Sequence, residues 1–110
     1  MATTYFRTKV QNNIGTTPID VLTPASTSRY TVIGCNLANI TDDDVIIDLI
    51  VVDASPQSAY YIKQLVIPPY NSVKVITNGE KLILAENCKL QIVSDTAASV
   101  DAVISYAEIV

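Results

Sequence analysis

Apolar and polar residues alternate with a period of two along most of this 110-residue chain. No segment holds an apolar 3.6-residue period over three turns, so strands are predicted and helices are not. Over 29–38, Thr31, Ile33, Cys35 and Leu37 take one face and Tyr30, Val32, Gly34 and Asn36 the other. The next strand, about 45–53, is apolar on both faces. Val45, Ile47, Leu49 and Val51 oppose Ile46, Asp48, Ile50 and Val52. A strand over 59–67 ends at Pro68-Pro69, which cannot donate to a ladder. Short strands follow over 71–76 and 81–84, separated by Asn78-Gly79, a pair suited to a type I′ hairpin. Cys88, Leu90 and Ile92 share one face of a strand over 88–94. In the last strand, 100–109, Val100, Ala102, Ile104 and Tyr106 alternate against Asp101, Val103, Ser105 and Ala107.

Residues 1–13 alternate weakly through Tyr5, Arg7 and Lys9, and Pro18 and Pro24 confine 14–26 to an edge strand or a surface-running arm. The expected organisation is therefore an extended N-terminal arm over 1–27 and a β-domain over 28–110. Seven strands are firm, with one or two more possible near the N-terminus. Short connections without crossover helices make the strands mostly antiparallel. Two sheets packed face to face, or a closed barrel, would bury their apolar faces. Composition agrees, since Val, Ile and Thr contribute 13, 14 and 11 residues, and such side chains suit a pleated, half-buried surface. ANITDDD (38–44), ASPQS (54–58) and DTAAS (95–99) read as loops or turns.

The apolar content exceeds what one core requires. Ile46, Ile50 and Val52 point away from the core in any two-layer arrangement, and one of the adjacent Tyr60 and Tyr61 joins them. Exposed apolar patches of this kind mark interfaces. A homo-oligomer is expected, and the chain's own arm is the alternative cover.

Candidate chemistry is sparse. The absence of His removes His-dependent triads and His metal ligands, and a net charge of −4 argues against nucleic-acid backbone binding. No apolar run is long enough for a signal peptide or a membrane helix, so a protein kept in the cytosol, or released without an N-terminal signal, is expected. Asp42, Asp43 and Asp44, with Asn39 and Thr41 beside them, are the one candidate for calcium, but they lack the spacing of an EF-hand loop and read as a solvated turn. Cys35 and Cys88 read as small buried hydrophobes; a bridge between them would need an oxidising compartment. The remaining carboxylates show no pairing for acid–base work, and the three glycines form no phosphate loop. Neither an enzyme nor a cofactor is expected. Six tyrosines, Tyr5, Tyr30, Tyr60, Tyr61, Tyr70 and Tyr106, could line a carbohydrate platform, but core or interface filling is their expected role.

From residue 18 to residue 109 the chain resembles small bacteriophage virion proteins. A proline-bearing lead-in, TPIDVLTPASTSRYTVIGCNLANIT, is followed by VIIDLIVVD and AYYIKQLVIPPYNSVKVI. EKLIL, LQIVSD and SVDAVISYAEI complete the rhythm. It looks like the jelly-roll or β-sandwich modules of capsid decoration (cement) proteins, tail fibres and baseplate adaptors. The resemblance implies an all-β, antiparallel two-sheet sandwich of jelly-roll type and a role in assembly. It also implies a symmetric partner set, with a trimer favoured, and assembly in the cytoplasm of an infected bacterium. It carries over no catalytic residue. A chain running from Met1 to just past the last strand reads as a free-standing product, which favours head decoration over a tail, collar, baseplate or fibre component. The residues expected to contact other virion proteins are Tyr5, Phe6, Arg7, Lys9 and Val10 in the arm, and Ile46, Ile50, Val52 and Tyr61 on the outward patch. A carbohydrate-binding β-sandwich module is the alternative from another class.

Overall fold

The computed structural model describes residues 3–76 and 81–110; the Asn78-Gly79 turn lies outside them. Nine strands are present, and no helix among the described residues: β1 (Thr4–Ile14), β2 (Ile19–Leu22), β3 (Arg29–Asn39), β4 (Val45–Val52), β5 (Ser58–Ile67), β6 (Ser72–Ile76), β7 (Leu82–Leu84), β8 (Lys89–Ser94) and β9 (Val100–Ile109). They form two antiparallel sheets. The first has the order β1-β9-β3-β6, with β7 also pairing β3; the second has the order β2-β8-β4-β5.

The topology follows from one rolled hairpin. β4 pairs β5 at its tip, β3 pairs β6, β2 pairs β8, and β1 pairs β9 at its open end. Rolling brings β9 against β3 and β8 against β4, which joins the pairs into two sheets. This is the jelly roll, a double-sheet answer to the problem of exposed sheet edges. Its core lies between the sheets, with Leu37, Ile47, Leu49, Ile76, Leu84, Leu90, Ile92 and Ile104 fully buried.

The segment expected as an arm supplies one edge strand to each sheet. Of the two possibilities left open for 14–26, the edge strand is the one adopted: β2 lies between Pro18 and Pro24 and pairs β8. Ile14, Val21 and Leu22 from this segment are buried in the core, so packing holds it down.

Two irregularities decide which side chains face outward. In β3, Val32 opposes Tyr106 and Gly34 opposes Ser105, so Ile33 is an extra residue on the bulged strand. Val32 and Cys35 therefore both face the core, and Thr31 and Ile33 do not share a face with Cys35 and Leu37 as strict alternation expects. In β4, Asp48 opposes the second irregularity. Lys63 and Gln64 bulge between the pairs Ile47↔Leu65 and Leu49↔Ile62, and Gln64 takes φ 58°. Asp48 Oδ1 accepts the Gln64 N–H at 2.7 Å, and Lys63 Nζ stands 3.7 Å from Oδ2. The one charge in the apolar run VIIDLIVV thus satisfies a backbone group that the bulge leaves without a ladder partner.

Asn39 is the most heavily used polar side chain. It is buried at the end of β3, and its Nδ2 donates to the carbonyls of Asp43, Ile67 and Pro68 at 2.8, 3.0 and 3.1 Å. Its Oδ1 accepts from the Thr41 N–H and Oγ1 at 2.9 and 2.8 Å. These bonds tie the turn after β3 to the end of β5. Both Asn39 and Thr41 spend their oxygens inside the turn, and Asp42, Asp43 and Asp44 are exposed. Among the described residues no group of three acidic or thiol side chains is gathered to hold a metal.

Asn39→Ala would leave buried carbonyls without a donor, and Asn39→Asp would set a carboxylate against them. Each substitution is expected to lower unfolding free energy by on the order of 3 kcal/mol. The shift in urea midpoint measures this, and a variant within about 0.5 kcal/mol of wild type refutes the role given to Asn39.

Candidate assembly interface

Pairing register sorts the exposed side chains by face, because directly opposed residues point the same way. Three rows cross the middle of the outer face of the first sheet, between the flanking rows of Thr4, Ile109 and Arg29 and of Asp101, Ala38 and Ser72. Phe6, Ala107, Thr31 and Ile83 form one; Thr8, Ser105 and Gly34 form the next; Val10, Val103, Asn36 and Lys74 form the third. Phe6 is 81% exposed, and Val10, Ile83, Val103 and Ile33 are exposed as well. Lys74 is the one charged side chain in the three middle rows, and Arg29 and Asp101 lie in the rows that flank them. A shallow groove of about 410 Å³ runs between Ile33, Gly34, Asn36, Lys74, Val103 and Ser105. Small side chains at Gly34, Ser105 and Ala107 keep the centre of the face flat, and large apolar ones stand around it.

The opposite side of β1 is built differently. Arg7 Nε donates to Glu108 Oε1 at 2.6 Å, and its guanidinium lies 5.0 Å from the Tyr5 ring centroid. The hydrogen bond to Glu108 holds the Arg7 pKa above its ordinary value. Glu108 Oε2 accepts from Ser28 Oγ at 3.3 Å. Arg7 and Lys9 share the side of Tyr106 and Ile104, at the margin of the sandwich.

The outer face of the second sheet carries a smaller apolar set. Ile46 pairs with Val66 and Ile50 with Tyr60, and Ile46, Val66 and Tyr60 are exposed. Ile50 and Val52 are half-buried. Tyr61 occupies an extra position beside the Leu49↔Ile62 pair and packs against the core, so its neighbour Tyr60 is the tyrosine on this face. Lys63 Nζ sits 4.2 Å from the Tyr60 ring centroid.

The nine residues expected at an interface therefore do not form one patch. Phe6 and Val10 lie on the outer face of the first sheet, Tyr5, Arg7 and Lys9 on the other side of β1, Ile46, Ile50 and Val52 on the far face of the molecule, and Tyr61 against the core. Val103, Ile33 and Ile83 join Phe6 and Val10 without having been singled out. Alternation in β9 already turned Val103 outward; Ile33 was hidden by the bulge. The tyrosines are also dispersed. Tyr30 and Tyr106 stack inside with ring centroids 4.6 Å apart, where burial raises the Tyr30 pKa. Tyr61 flanks the core, and Tyr70 is exposed in the loop after β5. Neither cysteine is bridged: Cys35 is buried in β3 and Cys88 half-buried before β8.

No protein-family model matches the chain, and no curated protein matches it significantly. Its fold is similar to a solved structure of Bacillus endospore appendages, described as a family of disulfide-linked pili. That match has 10% identity and a TM-score of 0.59 over 98% of this chain and 88% of the other. It is also similar to a chain of the T13 particle of infectious bursal disease virus, with 10% identity and a TM-score of 0.54 over 98% of this chain and 34% of that one. A chain of T=1 particles derived from the same virus gives 9% identity and a TM-score of 0.51, over 98% and 35%. The present chain spans about a third of these viral chains. At such identities the likeness is one of fold.

Two outcomes check the geometry. Phe6→Ser and Val103→Ser remove apolar surface that the fold leaves in water, so each is expected to change unfolding free energy by less than about 0.5 kcal/mol; a loss above about 1.5 kcal/mol in thermal or urea melts contradicts this placement. Burial pushes the Cys35 thiol up to about 12. It stays protonated at pH 8, where iodoacetamide is expected to label Cys88 and to reach Cys35 only once urea unfolds the chain. Equal labelling of both in mass spectra of the folded protein contradicts that burial.

Proposed function

We propose that this protein is a non-enzymatic structural subunit of a virion, a head decoration protein that binds between capsid subunits and is assembled in the host cytoplasm. The observation that carries the reading is the middle of the outer face of the first sheet, where Phe6, Val10, Ile33, Ile83 and Val103 are exposed around a small-residue centre with Lys74 as the one charge in the three middle rows. Large apolar patches are retained on a soluble surface when something covers them. The jelly roll shared with viral-particle chains and with endospore pili supports an assembly role at the level of fold. Its mechanism is burial of surface, with no bond made or broken.

A tail, collar, baseplate or fibre position uses the same face and differs only in the partner. A carbohydrate platform is less well supported, because the tyrosines are spread over the core, both faces and a loop. Self-association into a trimer through the second apolar face, around Ile46 and Tyr60, is part of the proposal.

The test is occupancy. Purified protein is added to capsids assembled without it, and bound copies are counted after sedimentation. Wild type is expected to saturate at a fixed ratio to the capsid protein. Phe6→Asp/Val103→Asp is expected to lose at least tenfold in occupancy while its thermal melt stays unchanged. Equal occupancy of the double variant, or no binding by wild type, overturns the decoration reading.

A further inference from the structure

The edges of the two sheets are unequal. β2 is four residues long, lies between Pro18 and Pro24, and slips register within its ladder. β5 carries two register shifts and the positive φ of Gln64. β6 has five residues, follows Pro68-Pro69 and also shifts register, and β7 has three. Short length, prolines and bulges are the devices that stop a sheet edge from pairing further. β1 has none of them over Thr4–Gln11, which pairs β9 without a break.

The free side of β1 can be assigned residue by residue. Thr3 and Val110 exchange both N–H···O bonds at 2.9 Å. With the register Thr4↔Ile109 onward, the odd residues Tyr5, Arg7, Lys9 and Gln11 also bond to β9. The N–H and C=O groups of Thr4, Phe6, Thr8 and Val10 therefore point away from the sheet, a ladder of donors and acceptors lacking its other half.

A second copy is a poor occupant. Over Thr4–Gln11, an antiparallel self-pairing that joins these even residues has the most overlap when it centres on Arg7 or Thr8. Those registers oppose Arg7 to Arg7 or Arg7 to Lys9, and like charges directly opposed destabilise a ladder. Each copy also carries a net charge of −4. Yet β1 itself is basic: it holds Arg7 and Lys9, and the first acid in the chain is Asp20. The edge thus discourages its own kind and matches the opposite charge.

We infer that β1 accepts an extended strand from a different protein, acidic at the two positions opposite Arg7 and Lys9 and apolar at those opposite Phe6 and Val10. The main-chain bonds supply affinity, and alternate side chains supply selectivity, as in strand addition generally. The inference deepens the assembly reading and rests on it only for the source of the strand, an extended terminus of another structural protein. The outer apolar face continues across the added strand, because the residues opposite Phe6 and Val10 extend the same rows.

The test uses the whole protein, ¹⁵N-labelled, and the synthetic peptide Thr-Val-Glu-Thr-Glu-Val-Thr. A version with both Glu replaced by Lys is the control. Amide hydrogen exchange is expected to slow at least tenfold at Phe6, Thr8 and Val10 when the acidic peptide is added, with little change at Arg7 and Lys9. The basic peptide is expected to bind at least tenfold more weakly, and Lys9→Glu to narrow or invert that preference. Thr8→Pro removes no bond to β9 and is expected to abolish binding. If that variant fails to fold, the Lys9→Glu comparison decides alone. No alternating protection at millimolar acidic peptide, equal binding of both peptides, or the same protection produced by raising protein concentration without peptide each overturns the proposal. The titration needs no capsid, so its failure is separable from a failure of the occupancy measurement.

Discussion

The first sheet depends on β9. This strand pairs β1 on one side and β3 on the other, so it carries the ladder that makes three strands one sheet. Its inward residues Val100, Ala102, Ile104 and Tyr106 are buried, and its outward ones form the middle of the candidate interface. Thr4 meets Ile109 across nearly the whole chain. Pairings of such separation incur their loop-closure entropy before any contact offsets it, which places this fold among slow-folding topologies. The local ties, Asn39 in the turn after β3 and the buried Ser94–Ser99 hydroxyl pair before β9, hold corners whose ends would otherwise splay.

Much of the body was legible because period-two alternation survives wherever a strand is regular. β8 and β9 face the core with the side chains that alternation assigns them, and Pro68-Pro69 ends β5 where it should. The reading failed where the backbone adds a residue. One extra position at Ile33 moves Val32 to the core side and Ile33 to the outside, and another at Tyr61 leaves Tyr60 as the exposed ring. Bulges leave little trace in composition. Gln64 is neither Gly nor Asn, though it takes a positive φ, and the clue was its cross-strand neighbour: a carboxylate in an apolar strand.

The N-terminal segment was left open between an arm and an edge strand for a different reason. β1 is exposed along nearly its whole length, with Ile14 its one buried residue, so its pattern contains almost no core signal. A sequence rich in Thr and Asn with scattered cations reads as an arm when only side chains are considered. What makes it a strand is the unpaired edge of β9, a need of the backbone that no side-chain pattern records. The candidate interface was half legible for the same reason. Phe6 and Val10 could be picked as outward apolar residues, but their partners across β9 and β7 follow from register.

Parity along β1 has a consequence for how this segment can change. Even-numbered residues supply both the apolar outer rows and the unclaimed main-chain groups, while odd-numbered ones hold β9 and carry the cations. Substitution can therefore tune the outer rows without touching the ladder to β9, as long as spacing is kept. A single inserted or deleted residue before Gln11 exchanges the two sets at once, turning cations outward and Phe6 or Val10 inward. Such a segment can diversify by point replacement and is nearly closed to changes of length, except at the irregularity between Gln11 and Ile14, where the register already shifts.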